Sequence, residues 1–184
     1  HDAGLPPGTL NVVSGDSEMI SEHLIRSPIV RKISFTGSTP VGQRPAALAG
    51  AMMKRCTMEL GGHAPVIVCD DADIDQAAKV LTAFKFRNAG QVCISPTRFY
   101  VQEGAYARFV DRFVGHVEAL KVGDGLDETT RMGPLAQRRR VAAMEGFVED
   151  TRQRGGKILT GGKRLPGDGN FFAPTVLAGL PDDA

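Results

Sequence analysis

Three short stretches carry side chains able to do covalent, acid-base or anion-binding chemistry. Cys93 stands in Asn88-Ala89-Gly90-Gln91-Val92-Cys93-Ile94-Ser95-Pro96, a polar, glycine-containing loop in which a thiol is open to approach. A thiolate there suits attack on a carbonyl carbon, and the Cys93 backbone amide can donate to the oxyanion that forms. Glu59 occupies Met58-Glu59-Leu60-Gly61-Gly62, a carboxylate in an apolar strand ahead of two glycines that admit backbone or ligand. Burial would make it a general base near neutral pH; on a solvated strand face it is an ordinary surface charge. Gly37-Ser38-Thr39-Pro40-Val41-Gly42 turns from a strand into a helix whose first amides and dipole favour a phosphate. Its spacing is neither that of a P-loop nor G-x-G-x-x-G, so an ordinary strand-to-helix turn explains these residues as well. Pro45, inside the following helix, is expected to kink or loosen it.

Other chemistry-bearing residues read as structural. Cys56 precedes a strand and Cys69 ends the run Val66-Ile67-Val68, so both are expected to be buried, inert thiols. Three widely spaced cysteines fit reduced thiols in the cytoplasm better than a disulfide framework. His1, His23, His63 and His116 share no metal-ligand spacing, and no metal site is expected. The acidic run Asp70-Asp71-Ala72-Asp73-Ile74-Asp75 reads as a helix N-terminus rather than a calcium loop. A cysteine hydrolase would need His63 or His116 brought to Cys93, and His116 lies within a helix without an evident orienting partner.

Composition narrows the partners. The 184 residues, 42% hydrophobic and 23% charged, suffice for a real core. Twenty-two Lys and Arg balance 21 Asp and Glu for a net +1, which supplies no field for nucleic acid or anionic lipid. Arg138-Arg139-Arg140 reads as a solvated helix face. No apolar stretch approaches a membrane span and no signal pattern opens the chain, so a soluble, cytoplasmic protein is expected.

The elements that must position these residues alternate between helix and strand. Helices are expected over 16–25, 42–51, 73–86, 105–120 and 135–154, and strands over 31–37, 57–60, 65–69, 97–102, 157–160 and 172–177. The clearest helix repeats Tyr106, Phe109, Val110, Phe113, Val117 and Leu120 at spacings of three and four, an inner stripe. Val141, Met144 and Val148 mark the inner face of the last helix. The pattern is that of an α/β protein with a largely parallel sheet, helices on both faces and ligand sites at the strands' carboxyl ends.

In their order these stretches resemble the NAD(P)-dependent aldehyde dehydrogenase superfamily. The resemblance rests on Gly8-Thr9-Leu10-Asn11-Val12-Val13-Ser14-Gly15, Phe35 to Gly42, Met58 to Gly62, Asn88-x-Gly90-Gln91-x-Cys93, Met132-Gly133-Pro134-Leu135 and Phe172-Ala173-Pro174-Thr175-Val176. It implies that Cys93 is the nucleophile and Glu59 the general base. It also implies that Thr36, Gly37, Ser38, Val41, Gly42, Leu60 and Gly61 hold NAD or NADP. The implied reaction converts an aldehyde to a carboxylic acid through a thiohemiacetal and a thioester, with Glu59 arguing against transfer of the acyl group to coenzyme A or phosphate. Lys85-Phe86-Arg87-Asn88-x-Gly90-Gln91-x-Cys93 is similar to the loop of succinate-semialdehyde dehydrogenases, which implies that Arg87 grips a substrate carboxylate; a surface Arg ending a helix is the plainer alternative. The family's upstream Asn and Lys and downstream Glu-x-Phe-Gly-Pro segment are missing. The expectation is therefore a central fragment, of low activity by itself, from a homo-oligomeric parent: residues 1–61 the latter part of a Rossmann-like cofactor domain, residues 62–184 most of an α/β catalytic domain, incomplete at its C-terminal end. A truncated, non-catalytic interaction protein is the alternative from another class.

Overall fold

The computed structural model describes residues 2–181, which fall into two compact units that divide between Gly61 and Gly62. In the first unit Asp16, in extended backbone, accepts a hydrogen bond from the Met19 amide at 2.7 Å and starts helix α1, Ser17–Arg26. Strand β1, Lys32–Gly37, leads through helix α2, Thr39–Ala51, to strand β2, Arg55–Leu60. The two strands pair in parallel, an arrangement that requires such a crossover. Their register runs from Lys32 opposite Arg55 to Gly37 opposite Leu60, so both strands end level. α2 continues through Pro45 as one helix. The bond lost at the Val41 carbonyl is local, and the buried Gly42 and Ala49 hold the turns on either side.

The second unit pairs β3, Val66–Val68, in parallel with β4, Phe99–Val101. Helix α3, Ile74–Phe86, starts at Asp73, whose carboxylate accepts from the Gln76 amide at 3.0 Å, so the acidic run caps a helix. α3 packs with helix α4, Glu103–Glu118, around Val68, Ile74, Ala78, Phe86, Ala105, Phe109, Phe113, Val117 and Met132. The rings of Phe99 and Phe113 lie 5.1 Å apart and those of Phe109 and Phe113 5.5 Å, within the range of favourable aromatic pairing. The inner stripe of α4 is Ala105, Phe109, Phe113 and Val117. Tyr106, expected on it, is 44% exposed, because one residue turns a helix by about 100° and the stripe centres on its neighbour.

Helix α5, Arg138–Gln153, buries Val141, Val148 and Thr151, while Arg138, Arg139 and Arg140 are exposed. It begins three residues later than its pattern suggests, because Leu135 is drawn into a small core with Phe172 and its amide donates to the Asn170 carbonyl at 2.9 Å. Strands β5, Lys157–Thr160, and β6, Val176–Ala178, form an antiparallel pair that closes an otherwise parallel set. β6 does not reach back to Phe172; Pro174 offers no amide to a ladder.

Two further expectations need correction. Helices do not cover both faces of every sheet: Ile67 and Tyr100, register partners in β3 and β4, are 74% and 53% exposed on the face away from the core. Cys56 and Cys69 are exposed, not buried. Cys56 falls on an uncovered position of β2, and Cys69 lies just past β3 in a turn whose Ala72 amide bonds its carbonyl. Among the described residues no helix is long and apolar enough to cross a membrane.

Candidate active site

The level ends of β1 and β2 gather one set of candidates in the first unit. Thr36 stands opposite Glu59 and Gly37 opposite Leu60, with Gly61 following at once. Ser38 is the N-cap of α2 in extended backbone and makes no side-chain cap bond, so its hydroxyl does not cover the helix's first amides. Pro40 lies in the first turn, where its missing amide costs nothing. The Phe35 ring requires glycine at two positions. A β-carbon at Gly37 would come within 2.6 Å of Phe35 Cζ, and one at Gly42 within 3.1 Å of Cε1 and 2.8 Å of Leu60 Cδ2. The ring thus sets how closely the start of α2 approaches the strands. Val41 is 55% exposed on this turn. Glu59 is exposed rather than buried, and what the fold supplies is its place at the carboxyl end of the sheet.

The second unit holds Arg87 and Cys93. α3 ends on the buried Phe86, and the chain then takes three successive left-handed residues, Asn88 (φ 52°), Ala89 (φ 53°) and Gly90 (φ 74°). Two of these are not glycine, each at a cost of about 1–2 kcal/mol, so contacts must hold the turn. Gln91 does so. Its amide and Nε2 both donate to the Asn88 carbonyl at 3.0 Å, and Asn88 Nδ2 donates to the Gln91 carbonyl at 3.2 Å. The same carboxamide reaches across to the segment before α5: Oε1 accepts from the Ala136 amide at 2.8 Å, and Nε2 makes a longer bond to the Pro134 carbonyl at 3.4 Å.

Cys93 follows in a turn closed by the Ser95 amide donating to the Val92 carbonyl at 2.9 Å, and its side chain is exposed. The turn's closing bond uses the Ser95 amide and not that of Cys93. Ser95 and Pro96 are buried, and the next residues are tied to the edge of the unit by Thr97, whose amide and hydroxyl donate to the His63 carbonyl at 3.0 and 2.7 Å. His63 Nδ1 lies 3.0 Å from Thr97 Oγ1, so this ring is engaged with Thr97. Arg87 is exposed, with its guanidinium 6.0 Å from the centroid of the Phe84 ring, which keeps the charged fork outward and the stem supported.

The sequence pointed to the chemistry-bearing residues and missed those that hold them. Gln91 appeared only as part of a motif, and Lys85 and Ser95 had no role, although the structure bonds the two to each other. The available signal was a lysine in the last turn of a helix and a serine before a proline ten residues on, both ordinary types in ordinary places.

Comparison with known proteins adds to this geometry. A sequence model described as Aldehyde dehydrogenase family matches residues 1–184. The succinate-semialdehyde dehydrogenase, NADP(+), of Escherichia coli is 43% identical over 182 residues, 99% of this chain and 38% of the relative. The 4-(hydroxymethyl)benzenesulfonate dehydrogenase TsaD1 of Comamonas testosteroni is 47% identical over 180 residues, 98% of this chain and 37% of the relative. Among solved structures, a succinate-semialdehyde dehydrogenase from Burkholderia pseudomallei superposes with a TM-score of 0.94 at 44% identity, over 99% of this chain and 38% of its own. The chain thus spans well under half the length of the proteins it matches.

Proposed function

The chain belongs to the aldehyde dehydrogenase family, and on that premise we propose that the protein oxidises an aldehyde to a carboxylic acid, with NAD or NADP, through a thioester on Cys93. The observation that carries the reading is an exposed cysteine in a turn fixed on both sides, by the Gln91 network before it and the buried Ser95 after it. Cys93 Sγ, as thiolate, bonds to the aldehyde carbon, and its own amide donates to the oxyanion. The nicotinamide cofactor, when bound, supplies the acceptor for the hydride that this carbon must lose to become a thioester. Glu59 then takes a proton from water, the hydroxyl adds to the acyl carbon, the carbon–sulfur bond breaks, and the acid leaves.

Residues 1–61 serve as the cofactor side in this reading and residues 62–184 as the thiol side. The uncapped first turn of α2 suits a pyrophosphate. Thr36, Gly37, Ser38, Val41 and Gly42 line that turn, and Leu60 and Gly61 the adjoining strand end. Apart from its chain neighbours, no residue comes within 4 Å of where a β-carbon of Gly61 would stand, so a flat ring meets no side chain there.

Arg87 grips an anionic group at the far end of the substrate. Support comes from its outward, permanently charged fork and from the relatives, one named for succinate semialdehyde and another for a benzenesulfonate, both anions at neutral pH. The test is NAD(P)H formation by the protein expressed from its complete reading frame, with succinate semialdehyde and with propanal. Cys93→Ala should abolish it with both aldehydes, and Glu59→Gln should leave a single burst followed by slow turnover as acyl-enzyme accumulates. Undiminished turnover in Cys93→Ala would overturn the reading.

A further inference from the structure

Beneath the turn that presents Cys93, one residue bonds the same hydroxyl twice. Ser95 is 4% exposed, and its Oγ donates to the Lys85 carbonyl at 3.1 Å while accepting from Lys85 Nζ at 3.3 Å. That carbonyl belongs to the last turn of α3, where helix carbonyls lack partners within the helix. The reciprocal pair joins the end of α3 to the far side of the loop and closes residues 86–94 into a ring. The ammonium also lies directly under the left-handed turn, since a β-carbon at Gly90 would be 3.4 Å from Lys85 Nζ and 3.4 Å from Lys85 O. Burial pushes the Lys85 ammonium below the ordinary lysine range, so the group is held there against its own hydration. A lysine kept only for the helix dipole would extend into water.

We propose that Lys85 is a positioning residue for the nucleophile, acting through Ser95. The connection is short. Ser95 Oγ is fixed by Lys85, the Ser95 amide closes the turn at the Val92 carbonyl, and Cys93 is the first residue inside that turn. If the hydroxyl is released, the turn keeps its fold but loses its fixed height above the end of α3. Misplacement of a reacting atom by about an ångström lowers turnover by up to about a hundredfold, while substrate and cofactor are still bound by other groups. The effect therefore falls on kcat rather than on KM.

This inference rests on the reading of Cys93 as nucleophile. The experiment compares Lys85→Met, Ser95→Ala, Ser95→Thr and the Lys85→Met/Ser95→Ala double variant, in the protein from its complete reading frame. Lys79→Met, an exposed lysine of α3, is the control. Steady-state kinetics are read beside backbone hydrogen exchange of residues 88–95. Lys85→Met and Ser95→Ala should each lower kcat by about ten- to a hundredfold with KM within about twofold, the double variant should fall no further than the worse single, and Ser95→Thr should restore most of the loss. Exchange in 88–95 should quicken about tenfold in both single variants and stay unchanged in 74–82. Unchanged exchange, unchanged kcat, or additive losses would each overturn the proposal. The two readings fail differently: if Cys93→Ala abolishes turnover and Lys85→Met does not lower it, only the positioning role is lost, whereas turnover without Cys93 overturns both. Should Lys85→Met not fold, Ser95→Ala and Ser95→Thr carry the same comparison.

Discussion

Alanine at two glycines of one helix should move stability in opposite directions. Gly42 and Gly50 both lie in α2, where intrinsic preference favours alanine at either by about 0.5–1 kcal/mol. Gly50 is exposed and a β-carbon there meets nothing within 4 Å, so Gly50→Ala should show nearly the whole gain. Gly42 is buried, and its β-carbon would stand 2.8 Å from Leu60 Cδ2, 3.1 Å from Phe35 Cε1 and 3.2 Å from Phe35 Cδ1. Carbon atoms at rest keep about 3.5–4.0 Å, so both neighbours must retreat. The Leu60 methyl can rotate away, but the Phe35 ring is also crowded by Gly37, where a β-carbon would come within 2.6 Å of its Cζ. Overpacking of this kind costs about 1–3 kcal/mol, so Gly42→Ala should be destabilised by roughly 0.5–2 kcal/mol net, about 2 kcal/mol below Gly50→Ala. Urea unfolding followed by circular dichroism measures both, provided the slopes agree. The KM for NAD(P) should rise in Gly42→Ala alone, because the residue displaced is Leu60. A Gly42→Ala protein as stable as Gly50→Ala would refute the close packing of the α2 start on Phe35 and Leu60.

Other substitutions probe the remaining links. Gly161→Ala should cost about 3 kcal/mol or more and show as a lost or strongly lowered denaturation midpoint, since its φ is +77° and a β-carbon would fall 2.2 Å from the Pro174 carbonyl oxygen, which is backbone and cannot step aside. Arg87→Gln should raise KM for succinate semialdehyde about ten- to a hundredfold and leave propanal unchanged, the size of one charge-assisted contact; equal effects on both aldehydes would remove Arg87 from substrate binding. Gln91→Leu leaves the Ala136 amide without its acceptor and frees the Asn88 turn, so kcat should drop by about tenfold or more, with faster hydrogen exchange at Ala136. The Lys121 ammonium and the Thr129 hydroxyl and amide hold the Asp127 carboxyl down to about 2, from an ordinary 3.8. A depressed carboxylate stabilises the fold above its unfolded value and loses that contribution as pH falls towards about 2, so carbon-detected titration should find its midpoint near 2, and Thr129→Val should move it upward.

What was legible in the sequence was local. Asp16 and Asp73 announce helix starts because a carboxylate satisfies amides two or three residues away, and the α4 stripe shows itself through its own spacing. The chemistry-bearing residues were legible for a related reason: a cysteine in a polar loop, a glutamate before two glycines and a glycine turn after a strand are each unusual where they stand. Cys56 was misread because its exposure depends on which layer covers that face of β2, Cys69 because β3 ends before it, and Tyr106 because the stripe of α4 centres one residue earlier.

The residues that hold the Cys93 loop were invisible for a stronger reason. Gln91 meets the Ala136 amide forty-five residues away, and Ser95 meets Lys85 ten residues back across a reversal of the chain. A glutamine and a lysine carry no mark of such duty, and each could be replaced without disturbing a helix pattern or a cysteine motif. A protein with Cys93 and Glu59 intact but with the two anchors gone would read as the same enzyme. On the proposal above, such a protein would present the Cys93 thiol less firmly, and its turnover would fall although Cys93 and Glu59 both remain in its sequence.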